Sequence, residues 1–473
     1  TISGPAKAQT VVVKSWQEAY ADADVFITCT VSKAPYVDQK PKAGSLQLNC
    51  SLRDYKTSIL DHTKAIIVDD WEEVCREKTD IEMMHLERGL QEKDTKNMAD
   101  VVYHNAMAAW PKERVRDLVD GASARDVEAA LGRETRTPRD LAALLSPAAR
   151  PYLEPMAREA HRLTRWHFGR TISLYAPIYI SNICSADCVY CGYAARSHSH
   201  EKRTTLTPEE TDAECRAQAA MGYRNILLLT GEAPHIVPPA KIAEACAVAR
   251  RHFAGVSVEV YAMDQPDYAL LVENGLEGVT LYQETYDRGL YAQVHLLGQK
   301  MDYEYRLDAL ERAGCAGARR ITVGALLGLG EWPAEAFWTA LHARHLQKAC
   351  WTSAVGVSFP RLRHTPPRFQ ITHPLGDAEL VQTILATRLF LPEAGFNLST
   401  REPAELRDRL LPLGITAMSA GSSTRPGGYA AADTGVLEQF AVEDTRSPAE
   451  VVEVIRRAGY DPVWKDFDTA FMG

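Results

Sequence analysis

Between Ile172 and Met418 short apolar strands alternate with helical spans, turn after turn. Strands are expected at Ile172–Ile180, Asn225–Leu229, Val256–Val260, Gly278–Tyr282, Arg320–Val323, Ala354–Ser358, Asn397–Ser399 and Thr416–Met418. Spans with helical apolar spacing lie between them, such as Glu209–Met221, Lys241–Phe253, Tyr303–Ala313 and Ala336–Gln347. Parallel strands need a crossover to bring the chain back, so this rhythm predicts βαβ units. Six to eight units in series predict an α/β barrel or partial barrel over residues 172–473, with its chemistry at the C-terminal ends of the strands.

The first of these strands runs directly into Cys184-Ser-Ala-Asp-Cys188-Val-Tyr-Cys191-Gly-Tyr193. Three thiols within eight residues can grip one small inorganic body. A [4Fe–4S] cube is held by cysteine thiolates and has four irons to serve, so one iron is left open for another ligand. A zinc site could instead join Cys188 and Cys191 to His198 or His200, but Cys184 is then surplus and the histidine spacing poor. Ten cysteines in 473 residues are no disulfide scaffold, and an open cluster would not survive an oxidising compartment, so a cytoplasmic location is expected. The net charge of −9, with no lysine or arginine stripe, argues against a nucleic-acid partner. No apolar stretch reaches membrane-spanning length and the start, Thr-Ile-Ser-Gly-Pro, has no signal-peptide architecture. A first residue of Thr suggests a trimmed or engineered N-terminus.

Other strand ends carry candidate ligands. The second ends Thr230-Gly231-Glu232, where glycine permits close backbone approach and a carboxylate can pair an ammonium. The fourth ends Tyr282-Gln283-Glu284-Thr285-Tyr286, followed by Tyr291 and His295, which suits either a ligand wall or a helix cap. Gly324 and Gly328 in the fifth could admit a nucleoside to the backbone. The sixth ends Phe359-Pro360-Arg361-Leu362-Arg363, and the seventh Ser399-Thr400-Arg401-Glu402. Guanidinium groups there fit a substrate carboxylate, with surface salt bridges as the plainer alternative.

Upstream the chain changes character. Residues 1–104 alternate β-branched runs (Val11–Val13, Val25–Thr30, Leu46–Asn49, Ala65–Val68) with helical stretches (Ser15–Ala21, Trp71–Arg76), which predicts part of a Rossmann-like α/β unit. The motifs Thr28-Cys-Thr-Val-Ser-Lys-Ala-Pro, Leu52-Arg-Asp-Tyr and Val68-Asp-Asp-Trp-Glu-Glu-Val-Cys-Arg-Glu resemble ornithine-cyclodeaminase-like dehydrogenases. No G-x-G-x-x-G loop is present, so this segment is read as a fusion partner or scaffold with no working dinucleotide site. Residues 105–171 are expected to form a helical collar: Arg114–Asp120, Ala124–Leu131, Pro138–Leu145 and Arg150–Trp166 have helical spacing, with starts near Ser123, Thr137 and Ser146.

The Cys184–Tyr193 segment resembles the radical S-adenosylmethionine (SAM) superfamily. Together with Thr230–Glu232, Tyr282–Tyr286, Ser358–Arg363, Leu398–Glu402, Ser419–Tyr429 and Pro462–Asp468, it is similar to the 2-iminoacetate synthase family over roughly residues 108–471. These are tyrosine lyases of thiamine biosynthesis. The resemblance implies that Cys184, Cys188 and Cys191 ligate a [4Fe–4S] cluster whose remaining iron takes SAM. It implies cofactor contacts by Thr230, Gly231, Glu232, Glu284, Gly324 and Gly328, and a catalytic set of Arg361, Arg363, Ser399, Arg401 and Tyr193 around L-tyrosine. It also implies an electron donor such as flavodoxin or ferredoxin, and a thiazole synthase as partner. Two relatives compete: the tryptophan lyases, which share the core, and the tyrosine lyase of [FeFe]-hydrogenase maturation, whose second cluster needs a C-terminal cysteine motif. No cysteine follows Cys350 here. A non-catalytic iron–sulfur or zinc protein is the reading from another class.

A chain starting near Tyr103 is therefore expected to assemble its cluster and cleave tyrosine, while the full chain binds no NAD. Iron analysis, product assay and calorimetry check this; micromolar NAD binding would restore a role for the N-terminal segment.

Overall fold

The computed structural model describes residues 11–30, 32–97, 112–196, 201–430 and 435–464. The chain divides into two compact units, Thr1–Pro111 and Lys112–Gly473. In the first, β1 (Val25–Thr28) pairs in parallel with β2 (Leu46–Asn49), and β3 (Ile67–Val68) with β4 (Lys96–Asn97). These are separate two-stranded ribbons among the described residues, not one half of a doubly wound sheet. Strands of four and two residues with mostly exposed side chains cannot present the continuous apolar face that a covered parallel sheet needs. Val11–Val13, expected as a strand, is exposed and unpaired in any ladder; β-branching is no strand without a neighbour to pack on. The core of this unit is Tyr20, Val37, Tyr55, Ile59, Met84 and Leu90. Buried Asp80 ties it together by accepting the backbone N–H groups of Asp54 and Tyr55 at 2.9 Å each and the Asn49 amide at 2.7 Å.

In the second unit the strand rhythm closes on itself. β5 (Thr171–Ser181), β6 (Asn225–Thr230), β7 (Gly255–Glu259), β8 (Gly278–Glu284), β9 (Arg320–Ala325), β10 (Ala354–Ser358), β11 (Gly395–Leu398) and β12 (Ala417–Ser419) pair in chain order, all parallel, and β12 returns to β5. A ninth strand, β13 (Asp461–Val463), lies along the first three residues of β5. Tyr179, Leu229 and Glu259 stand level across β5, β6 and β7. Helices Pro208–Ala220, Pro239–Arg250, Gln265–Glu273, Trp332–Ala349 and Asp377–Phe390 fill crossovers. The helix expected over Tyr303–Ala313 is interrupted at Asp308, giving Tyr303–Leu307 and Ala309–Cys315.

The helices ahead of the barrel share its core. Lys112–Asp120, Ala124–Leu131, Pro138–Leu145 and Leu153–Phe168 form where the spacing placed them, with Ser123 and Thr137 as caps. Each cap accepts the N–H of an aspartate three residues on, and that carboxylate answers the cap's own N–H, satisfying two otherwise orphaned donors. Ser146 instead precedes a 3₁₀ turn, Pro147–Tyr152, because Pro151 forbids a continuous helix. Leu141, Leu144 and Leu145 are fully buried in the same core as the barrel strands.

One buried cation locks the far wall. Arg388, wholly inaccessible, donates to the carbonyls of Pro392 (3.0 Å), Ala394 (2.6 Å) and Gly414 (2.6 Å), and its ring neighbours are Phe168 and Phe396. Burial without a carboxylate partner pulls its pKa down to about 9. Arg388→Ala strands these carbonyls and should cost roughly 3 kcal/mol, read as a lower denaturation midpoint; an unchanged midpoint would deny the staple.

Candidate active site

The loop that follows β5 is held from several sides. The Arg203 guanidinium donates to the carbonyls of Asn182 (2.6 Å), Tyr193 (2.7 Å) and Ala194 (3.1 Å), so one planar fork ties both ends of the cysteine loop. Buried Asp187 accepts from Arg368 at 2.6 Å, and the same guanidinium reaches the Cys188 carbonyl at 3.1 Å. Val189 N–H donates to Val294 O and Leu296 N–H to Asp187 O, each at 3.0 Å, which clips the loop to the segment after helix Arg288–Val294. There the Tyr190 hydroxyl meets His295 Nε2 at 2.8 Å. Burial and the cations Lys300 and Arg306 push the His295 pKa down to about 2, so the ring is neutral. With Nδ1 directed at Tyr291 O, Nε2 is left to accept from the hydroxyl.

Cys188 is buried, and Cys184 and Cys191 pack against the same apolar cluster of Ala186, Tyr190, Val294, Leu326, Leu329 and Leu362. All three are free thiols. Burial, first of all, pushes Cys184 up to about 11 and Cys188 to about 12. Thiols held protonated at this depth need a cationic body to become thiolates. Three soft donors on one dry cluster fit an iron–sulfur cube. Among the described residues no three His, Cys, Asp or Glu side chains close around a single ion. His198 and His200, from the zinc alternative, lie outside them, as does the Lys465–Asp468 end of the tail motif.

The Thr230–Glu232 turn is stitched to this loop. Ser185 donates both its N–H and its hydroxyl to Glu232 O at 2.6 Å. A Cβ on Gly231 would stand 2.3 Å from Ile183 O and 3.0 Å from the Cys184 side chain, so only glycine fits. The buried Glu232 carboxylate accepts Lys300 N–H at 2.9 Å. Glu284 ends β8 in the left-handed region (φ +72°). Its carboxylate receives Lys300 Nζ at 2.6 Å and Arg306 Nη2 at 3.4 Å, which hold it below the usual carboxylate range against the opposing effect of burial. Lys300 and Arg306 were not expected from sequence. The helix after Tyr286 is capped by Asp287, which accepts from Gly289 and Leu290, and not by a capping box in the strand-end motif.

The structure sorts the remaining expectations. Arg361 is not free for a substrate: its guanidinium forks onto Glu402, and also donates to Leu375 O (3.0 Å) and Asp377 (2.9 Å). Arg363 leans on the same Glu402 at 3.2 Å. Tyr193 is fully buried with its hydroxyl donated to Thr424 O at 2.6 Å, so it wedges the loop. A Cβ at Gly324 would stand 2.3 Å from Ser358 O and 2.7 Å from the Tyr282 ring, and one at Gly328 3.1 Å from Leu362, so both positions are kept for glycine by close packing. Gly328 is required for its φ of +111°. Arg401 differs. It lies on the Phe440 ring at 3.4 Å, has no ion pair among the described residues, and acts across the lumen on Glu259, Tyr179 and Tyr282. Ser399 Oγ accepts the Arg401 N–H at 3.4 Å. A cavity of about 540 Å³ opens at the opposite, N-terminal mouth; of the strand-end candidates Tyr282 lines it, beside Tyr175.

Family models agree with this layout. Residues 178–342 match the Radical SAM superfamily and residues 358–461 the Biotin and Thiamin Synthesis associated domain. The chain is 43% identical over 361 residues to 2-iminoacetate synthase of Salmonella typhimurium, covering 76% of this chain and 94% of that one. The Escherichia coli 2-iminoacetate synthase is 42% identical over the same span lengths. Among solved structures, HydG, a maturase of the [FeFe]-hydrogenase, superposes with a TM-score of 0.70 at 29% identity, covering 79% of this chain and 84% of that one.

Gly231→Ala should displace the Cys184 end of the loop and lower iron content after anaerobic reconstitution by more than half. Full iron loading in that variant would show that the turn and the loop are independent.

Proposed function

This chain belongs to the 2-iminoacetate synthase family, and from that premise we propose which of its residues carry the family's reaction. It is a radical SAM lyase that cleaves the Cα–Cβ bond of L-tyrosine to 2-iminoacetate and p-cresol, for the thiazole of thiamine. The observation that carries the assignment is the set of three free thiols on one apolar cluster, stapled at the end of the first barrel strand. When bound, the [4Fe–4S] cluster and SAM supply a 5′-deoxyadenosyl radical and methionine by one-electron cleavage of SAM.

The chain's own part is to bind, orient and exclude. Cys184, Cys188 and Cys191 hold the cluster. Glu232, just past β6, and Glu284, at the end of β8, would meet the polar groups of SAM, and the cations Lys300 and Arg306 beside Glu284 would meet its carboxylate. Arg401 and Ser399, just past β11, take the tyrosine carboxylate, because among the described residues Arg401, unlike Arg361 and Arg363, has no ion pair. Arg361 and Arg363 act through Glu402 as framework. The lumen between these groups is lined by Tyr175, Tyr179, Leu229 and Tyr282, an apolar wall that suits a phenol ring and keeps bulk water from a radical. A low-potential donor such as flavodoxin or ferredoxin and a thiazole synthase that receives 2-iminoacetate complete this reading. No described helix is long and apolar enough to cross a membrane.

Reconstituted enzyme with dithionite, SAM and tyrosine should yield 5′-deoxyadenosine and p-cresol together, with tryptophan a far poorer substrate. Arg401→Ala should raise the tyrosine KM about 30-fold or more, since removing a buried charge partner costs about 2–5 kcal/mol, while uncoupled SAM cleavage persists. An unchanged KM would return the carboxylate to Arg363.

A further inference from the structure

Glu259 closes β7 and faces the barrel lumen, level with Tyr179 and Leu229. No side chain among the described residues hydrogen-bonds or ion-pairs with its carboxylate; only longer-range charges act on it. Its largest counter-charge is Arg401, across the lumen from β11, followed by Lys300 and Arg306 on the SAM side, with Glu284 opposing them. The hydroxyls of Tyr175, Tyr179 and Tyr282 complete its surroundings. A half-buried carboxylate that faces the barrel lumen without a partner is open to a ligand that supplies one.

A carboxylate and a guanidinium that face each other without touching leave room for a zwitterion. The amino acid's carboxylate would meet Arg401, and its ammonium would meet Glu259, on the side nearer Glu284 and Lys300 where SAM is placed. Hydrogen is taken from that same amino nitrogen, and an ammonium has no lone pair. Hydrogen loss from an ammonium leaves a radical cation, whereas loss from an amine leaves a neutral nitrogen radical, so a proton has to depart first.

We propose that Glu259 is a catalytic residue that binds the α-ammonium of tyrosine and removes one proton from it. One N–H bond breaks, one O–H bond forms on Glu259, the electron pair stays on nitrogen, and nothing is oxidised or reduced. The assignment rests on the tyrosine-lyase reading above. Burial lifts the Glu259 pKa to about 7, which suits a base working near neutrality. The group is raised by burial and by Glu284 and lowered by Arg401, Lys300 and Arg306. A bound ammonium lowers it further, so the base form is lost as pH falls through about 7 and below.

The test uses the full, cluster-loaded, SAM-bound enzyme with two ligands: tyrosine, and 3-(4-hydroxyphenyl)propionate, which lacks only the amine. Glu259→Gln should weaken tyrosine binding about tenfold or more and leave the amine-free ligand within about twofold. Turnover should drop about 10²-fold or more, in the range for a lost general base, and the acidic limb of the pH profile should vanish. Unchanged iron content, with a cluster spectrum that still shifts on SAM addition, shows that the variant is folded and loaded. Glu259→Asp keeps a carboxylate and should retain the acidic limb at reduced rate, which also serves if the glutamine variant does not load. Equal weakening of both ligands would place Glu259 on the ring or carboxylate and overturn the proposal, as would unchanged tyrosine binding and turnover. Wild-type enzyme that neither binds nor cleaves tyrosine would remove the lyase reading itself, a failure seen without any variant.

Discussion

Three thiols on one loop in apolar surroundings are costly to ionise, and the rest of the site is arranged around that cost. Burial pushes Cys184 and Cys188 far above neutral pH, so the loop cannot collect a cluster by charge attraction alone. It has to be shaped in advance. Arg203 fastens both its ends, Arg368 and Asp187 its middle, and the Tyr190–His295 contact its far side. Gly231 lets the next strand end close against Cys184. Each staple is a backbone carbonyl or a buried polar group given its partner, which is how a loop of this kind stays ordered inside a low-dielectric wall.

Beyond the loop, buried charges are paired in two separate groups. Glu284, Lys300 and Arg306 form one on the SAM side, and Glu402 with Arg361 and Arg363 the other on the far side. The pairing holds both groups in place, and in the reading above the first of them also meets SAM. The two charges that face the lumen without a pair, Glu259 and Arg401, are therefore the ones available to a small zwitterionic substrate.

Much of this was legible in the chain. Barrel strands buried on both faces read as unbroken apolar runs, and their expected bounds lie within about two residues of those observed for β5 to β12. The cysteine spacing and the Gly231–Glu232 turn are local, so they too were readable. What escaped depends on contacts far apart in sequence. Lys300 meets Glu232 and Glu284 from 68 and 16 residues away. Arg361 was read as a substrate ligand because its partner Glu402 reaches it only once β10 and β11 lie side by side. Glu259 ends a strand in a plain Val-Glu-Val run, and no local signal shows that it turns into the lumen. In the first unit, β-branched runs suggested more sheet than forms among the described residues, where Val11–Val13 pairs with no strand.

In this reading Cys184, Cys188 and Cys191 would hold a cube with one iron left open to SAM. Electron paramagnetic resonance of the reduced enzyme, recorded with and without SAM labelled with ¹⁵N in its methionine amino group, tests it most directly. The account predicts a cluster spectrum that shifts on SAM addition and a hyperfine coupling to the labelled nitrogen. A reduced cluster whose spectrum ignores SAM and shows no such coupling would contradict it.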